Sequence, residues 1–356
     1  MSLRPLPVDD TKIRDLAIDS VRGIALLLMV AGHVIGSSSS SGMNVDNSSY
    51  WRFFYLGLED IRMPLFSALS GYVYALRPVR VPKTLPKLIR GKVRRLLVPL
   101  ITVGTVFYLT QALIPGTNQQ SSLSEVWRVY VYGVGHFWFV QAVFLIFVII
   151  GVADAFNIMG SIRRWGFVLS ISLVLYIIVD IPAIYNIFSM NGFAALLPFF
   201  LAGYGLSKFD LFAKSKRIVV ILGILLLIFL GLRIAVILDG VSSEGSLMGL
   251  LSLCVGLLCV TFLILCRHKL AIVPLAWIGK YSFTVYLLHV FGSAGSRIVL
   301  AKAGLESDVV LFIISMVVAV GLPIAFERTL GRVEWVSWAF LGQRPRGQRA
   351  NGISVK

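Results

Sequence analysis

Ten long apolar stretches organise the chain, at approximately 17–36, 53–77, 96–114, 134–153, 166–182, 192–207, 218–238, 246–266, 277–296 and 308–327. Runs of this length and apolarity predict membrane-spanning α-helices. The segments between them are short and polar. The pattern therefore predicts an all-α fold, a polytopic membrane bundle of about ten transmembrane helices. No internal repeat and no soluble domain stands out. The bundle reads as one unit over 17–327, flanked by an N-terminal arm (1–16) and a basic tail (328–356) that is expected to be disordered after Phe340.

Polar interruptions of these runs are where chemistry is expected. The first run reads AIDSVRGIALLLMVAGHVI and carries Arg22 and His33, eleven positions apart. On a helix this is a rise of about 16 Å and about 20° away from a whole number of turns, so both side chains share one face at different depths. A cation within a bilayer costs roughly 2.5–3.5 kcal/mol on insertion scales, and such groups usually face a polar cavity. The alternative for Arg22 is a structural ion pair, and Asp19, one turn earlier, is a candidate partner.

Composition supports the membrane reading. Hydrophobic residues make up 57% and charged residues 14%, against about 25% charged in soluble domains; the mean hydropathy is +0.86. The net charge of +16 suggests a nucleic-acid partner, but its placement excludes one. With a cytoplasmic N-terminus, 25 Lys and Arg fall in inner segments and only Arg52, Arg128, Arg297 and Lys302 in outer loops. This follows the positive-inside rule and places both termini in the cytoplasm of a multi-pass protein of the inner (plasma) cell membrane, with the bilayer itself as a partner. The first run is too long for a cleavable signal, lacks a small-residue cleavage site and contains an arginine. Cys254, Cys259 and Cys266 all lie in the eighth run and read as packing residues, so no metal site is expected.

Other candidates follow. A neutral imidazole near pH 7 is the usual general base, which singles out His33. Glu59 and Asp60, in the outer part of the second run, would orient it, or would instead pair with Arg62. The same run contains Pro64 and a small polar face of Ser67, Ser70 and Gly71, suited to close helix packing or to a ligand. The fourth opens with GHFWFVQ, which places His136, Trp138 and Gln141 near the outer surface, where Phe137, Trp138 and Phe139 fit either an interfacial aromatic belt or a sugar-stacking platform. In the ninth, Ser282, Tyr286 and His289 share one helix face, a polar stripe that suits a cavity wall. The inner loop 77–95 holds eight Lys and Arg; Pro78, Pro82 and Pro86 predict an extended first half, and KLIRGKVRRLLVPL an amphipathic second half. Eight cations exceed what topology needs, and suit a phosphorylated ligand. The loop at 37–49 is serine-rich, with no pattern of its own.

In order, RDLAIDSVRGIALLLMVAGHV, MPLFSALSGYVYAL, HFWFVQAVFL, LPFFLAGYGL and YSFTVYLLH resemble the landmarks of the acyltransferase-3 family of membrane acyltransferases, from about Arg14 to Phe326. The resemblance implies a ten-helix transferase that moves an acyl group, acetyl by default, from cytoplasmic acyl-coenzyme A to a hydroxyl of a carbohydrate or glycolipid on the far side of the membrane. It implies acyl-coenzyme A as co-substrate with no tightly bound cofactor, and O-acetylation of surface polysaccharide as the process. The family's first-helix arginine and histidine carry over to Arg22 and His33. Its cytoplasmic pair of arginines three apart does not: here the three-apart pairs are Lys87 with Arg90 and Lys92 with Arg95, and lysine lacks the guanidinium fork.

The expected mechanism assigns catalysis to His33 with Asp60 or Glu59, donor binding to Arg22, Arg90, Arg94, Arg95 and Ser70, and acceptor binding to His136, Trp138, Tyr286 and His289. It expects a water-filled shaft through the bundle, lined by both Arg22 and His33. The rival class is a polytopic transporter or flippase for an anionic or sugar-linked substrate. Against it, the sequence has no paired halves with matched broken helices.

Overall fold

The computed structural model describes residues 15–118, 122–212, 215–238 and 246–344. Residues 1–14 of the predicted arm and 345–356 of the predicted tail lie outside the described residues. The described chain is helical, with one isolated bridge between Tyr132 and Ile187. The helices are α1 (Leu16–Ile35), α2 (Tyr50–Ala75), α3 (Leu85–Lys92), α4 (Val98–Leu113), the short α5 (Arg128–Val131), α6 (Trp138–Ala155), α7 (Ile162–Ile178), α8 (Met190–Lys208), α9 (Lys216–Leu238), α10 (Ser246–Leu265), α11 (Val273–Lys280), α12 (Ser282–Lys302), α13 (Asp308–Arg328) and α14 (Glu334–Leu341).

Among the described residues, eight helical stretches are long and apolar enough to cross a membrane: Leu16–Ile35, Pro82–Leu113, Gly135–Ala155, Met190–Lys208, Lys216–Leu238, Leu247–Leu265, Ser282–Lys302 and Asp308–Arg332. The other two expected spans are the helices α2 and α7. The first is 26 residues long but carries Arg52, Glu59, Asp60 and Arg62; the second has 17 residues.

The first helix sits at the centre, packed against α2, α11, α12 and α13. Asp15 caps its start by accepting from the N–H groups of Ala17 (2.9 Å) and Ile18 (3.3 Å), and Gly36 ends it at φ +89°. The most extensive helix pair is α2 with α8. There Gly71 lies against the carbonyl of Phe200 and Gly203 against that of Ala68, so a Cβ at either position collides with main chain. Ser67 completes the crossing by donating to the carbonyl of Leu196 at 2.9 Å. The small polar face of the second run thus serves helix packing.

Three local expectations are corrected. Residues 77–81 are non-helical as expected, but helix begins at Pro82, because Pro82 and Pro86 occupy the first turns of a 3₁₀ turn and of α3, where no N–H is required. A π-turn at Val93–Leu97 then leads into α4. The ninth span is broken at Tyr281, into α11 and a longer α12. Part of the presumed tail, Glu334–Leu341, is a helix docked on α4: Thr102 donates to the carbonyl of Ala339 (2.5 Å) and Arg94 Nε to that of Gly342 (3.2 Å).

Candidate active site

His33 lies in the last turn of α1, half-buried, on the wall of a cavity of about 650 Å³. The same cavity is lined by Glu59, Asp60 and Arg62 of α2, by His136 and Trp138 at the head of α6, by Tyr286 of α12, and by serines 37, 38, 40 and 41. A second, largely apolar cavity of about 380 Å³ between α4 and α12 also borders on His33.

The serine loop that roofs the site is held in place. Gly36 and Gly42 adopt positive φ, Ser38 N–H donates to Ser41 Oγ (2.9 Å), and Met43 N–H donates to the carbonyl of Ile35 (3.3 Å). Arg52, 4% exposed, donates to the carbonyls of Gly36 and Val45. The sequence shows only a serine-rich loop; the structure shows a clamped turn whose serines line the cavity.

Around His33 three imidazoles come together. Ring centroids are 4.8 Å apart for His33 and His289, 5.0 Å for His136 and His289, and 6.1 Å for His33 and His136. Tyr286, whose hydroxyl donates to the carbonyl of His136, closes the group. His136 Nε2 lies 3.3 Å from the carbonyl of Leu287, and His289 Nδ1 lies 2.9 Å and 3.1 Å from those of Tyr286 and Val285. Among the described residues, no group of three or more His, Cys, Asp or Glu side chains has the geometry to hold a metal ion.

The structure brings His33, His136, Trp138, Tyr286 and Glu59 to one cavity, with His289 directly behind it. Among the described residues, no carboxylate pairs with His33. Asp60 is instead bound by Arg233 of α9, Nε to Oδ2 at 2.8 Å, with Arg233 buried and Asp60 partly buried at the cavity edge. Glu59 accepts from the hydroxyl of Tyr55 at 3.4 Å. Nor do the two carboxylates simply pair with Arg62, which stacks on the Tyr55 ring at 4.2 Å. Its guanidinium lies against Gly32, so close that a Cβ there would overlap it. Arg62 is therefore the cation beside His33. The signal in the sequence was the i, i+4, i+7 spacing of Tyr55, Glu59 and Arg62, which puts them on one face of α2.

At the other end of α1, Arg22 donates to Asp19 at 2.8 Å. The up–down order of α1, α2 and α4 puts Arg90, Arg94 and Arg95 at that same end of the bundle. Arg90 is exposed, Arg94 bonds to Gly342, and Arg95 lies 5.8 Å from the Phe283 ring. Among the described residues, neither cavity continues as the expected open shaft to Arg22. Arg22 and Ser70 line neither of the two cavities, and the α1 residues between Arg22 and His33 on their common face, Ala25, Leu26 and Met29, are at most 1% exposed. Shared helical phase put Arg22 and His33 on one stripe, but the stripe packs against neighbouring helices over its middle. Met29 alone of those three also reaches the cavity, as part of its floor.

Known proteins give this geometry its context. Residues 15–328 match the family model of the acyltransferase-3 type, described as an acyltransferase domain. The chain is also similar to nodulation protein NolL of Mesorhizobium japonicum, 27% identical over 150 residues, which are 41% of this chain and 38% of that protein. The NolL of Sinorhizobium fredii is 27% identical over 153 residues, 42% of this chain and 39% of its own length. The chain thus spans about two-fifths of the length of the curated relatives it matches. With the family model covering nearly the whole sequence, the chain belongs to the acyltransferase-3 family of membrane acyltransferases.

Proposed function

We propose that the protein spans the cell membrane about ten times with both termini cytoplasmic, and moves an acyl group, by default acetyl, from cytoplasmic acyl-coenzyme A to a carbohydrate hydroxyl on the outer side. The observation that carries this reading is the position of His33, in the wall of a cavity of mixed polarity that Trp138, Glu59 and a row of serines also line. An aromatic face with hydroxyls and a carboxylate around it suits a sugar. The cations at the opposite end of α1 suit the phosphates of coenzyme A.

In this scheme His33 takes the proton of the acceptor hydroxyl as its oxygen attacks the thioester carbonyl. The C–S bond breaks, the acyl group stays on the acceptor oxygen, and the leaving thiolate takes the proton back from the imidazolium. Arg62, beside His33, stabilises the oxyanion formed on the way. The pantetheine arm, entering past Arg22, displaces the packed side chains above it. Met29, with its flexible thioether chain, is the residue that yields at the cavity floor.

Two variants follow from this scheme. Gly32→Ala adds a methyl group where the Arg62 guanidinium lies. Loss of one oxyanion donor typically costs about 10²–10³ in kcat, and a fall of that order is expected with unchanged donor affinity. Wild-type kcat in that variant would remove Arg62 from the reaction. Arg22→Lys keeps a charge for the buried Asp19 but loses the fork that grips phosphate. Coenzyme A binding measured by calorimetry is expected to weaken by about tenfold, or about 1.4 kcal/mol. Unchanged affinity would take Arg22 out of the donor site.

The activity itself is tested with purified protein, acetyl-coenzyme A and a panel of glycosides, following release of the free thiol. Thiol release that depends on acceptor, with an acetyl mass gain on the sugar, is expected. No release from any acyl-coenzyme A, together with identical surface glycans from cells with and without the protein, would refute the reading.

A further inference from the structure

The buried His289 has an unusual hydrogen-bonding state. Its Nδ1 faces two main-chain carbonyls of its own helix, those of Tyr286 at 2.9 Å and Val285 at 3.1 Å. A carbonyl only accepts, so Nδ1 carries the proton. A neutral imidazole has one N–H and one lone pair, so Nε2 is a bare acceptor. That Nε2 is fully buried and has no hydrogen-bond partner among the described residues. Leaving an acceptor unsatisfied in an interior costs folding free energy, and such an atom calls for an explanation.

The neighbours narrow the possible donors. Tyr286 has given its hydroxyl proton to the carbonyl of His136. His136 holds its Nε2 against the carbonyl of Leu287 at 3.3 Å, so its own N–H is spent there and its Nδ1 is a second lone pair. Two lone pairs do not bond. Of the three clustered imidazoles, only His33 has no ring nitrogen committed to a main-chain carbonyl, and its ring centroid lies 4.8 Å from that of His289. Each ring nitrogen lies about 1.2 Å from its centroid, so a modest rotation of the half-buried His33 ring brings an N–H to His289 Nε2.

We infer that His289 is the positioning residue of His33: it accepts the N–H of one His33 nitrogen and so turns the other, as a lone pair, toward the acceptor hydroxyl. This inference rests on His33 being the general base. In many hydrolases a carboxylate fixes the base in this way; here the carboxylates of α2 are engaged elsewhere and a neutral imidazole takes the place. The role differs from contact with the acceptor, because His289 lines neither cavity.

The test uses two substitutions that separate the ring nitrogens. In His289→Asn the amide group reaches the position of Nδ1 and keeps the bond to the helix carbonyl, but offers nothing at Nε2. In His289→Gln the side-chain oxygen reaches the position of Nε2. The Asn variant is expected to lower kcat by about 10–100-fold, the usual range for loss of an orienting partner, with KM for donor and acceptor unchanged. The Gln variant is expected to recover most of that loss. Combined with His33→Ala, His289→Asn should cost nothing further, since a residue that acts only through another has no independent effect.

Wild-type kcat in His289→Asn, an unrecovered loss in His289→Gln, a raised KM in place of a lowered kcat, or an additive loss on top of His33→Ala would each overturn the inference. Nitrogen NMR of histidine-labelled wild-type protein gives a reading that needs no variant. It should show His289 protonated at Nδ1 with a hydrogen-bonded Nε2; a free Nε2 overturns the inference. Full transfer by His33→Ala would bring down the base assignment and this inference together. An inactive His33→Ala beside an unaffected His289→Asn would bring down this inference alone.

Discussion

Replacing His33 by alanine is expected to lower acyl transfer by about 10²–10⁴-fold, the usual contribution of a positioned general base. The protein should still fold. The side chain is half-buried on a cavity wall, and the one hydrogen bond lost with it, the inferred bond to His289 Nε2, can be replaced by water entering the space the ring leaves. Rate and stability therefore separate at this position, and the separation is the diagnostic. A variant with an unchanged melting temperature in detergent, normal donor affinity and a collapsed kcat fits the account. A variant that transfers normally contradicts it.

The second large effect lies at the edge of the same cavity and is structural. Among the described residues of α9, Arg233 is the one that is buried; the others are exposed or only partly covered. It meets Asp60 of α2 at 2.8 Å, with side-chain exposures of 4% and 9%. Removing one member of a buried pair leaves the other charge uncompensated and typically costs about 3–5 kcal/mol. Arg233→Ala is expected to destabilise the protein by that order, read as a lowered unfolding midpoint in a thermal scan. Arg233→Met with Asp60→Leu should restore most of the loss, because replacing both charges removes the orphan. That double variant should also keep transfer activity. An unchanged midpoint in Arg233→Ala would contradict the anchoring role, and a stable but inactive double variant would return Asp60 to the chemistry.

The pair also shows where the sequence ceases to be informative. Polar residues inside apolar runs marked His33, His136, Tyr286, His289 and Glu59 as cavity candidates, and the cavity or the ring cluster gathers all five. Helical periodicity orders residues within one helix and so put Arg22 and His33 on one face. It carries no information on what that face meets. Ala25, Leu26 and Met29 between them turned out to be packed, so the face lines a cavity only near His33. Partners of charges are equally hidden, because they depend on helices distant in sequence: Asp60 and Arg233 are 173 positions apart. Arg62 reaches the side of His33 only because position 32 of another helix lacks a side chain. The helix at Glu334–Leu341 escaped notice for a different reason, since eight residues are too short to show a convincing period.

The closed packing over Leu26 and Met29 sets the sharpest demand on the proposed reaction, because the donor's acyl end has to pass it to reach His33. A cryo-EM structure of the protein bound to a non-transferable acyl-coenzyme A analogue tests this directly. The account predicts the nucleotide near Arg90, Arg94 and Arg95, the arm running past Arg22 with Leu26 and Met29 displaced, and the acyl carbonyl in the cavity beside His33. An analogue bound with its acyl end away from that cavity, and α1 still packed as in the free protein, would contradict it.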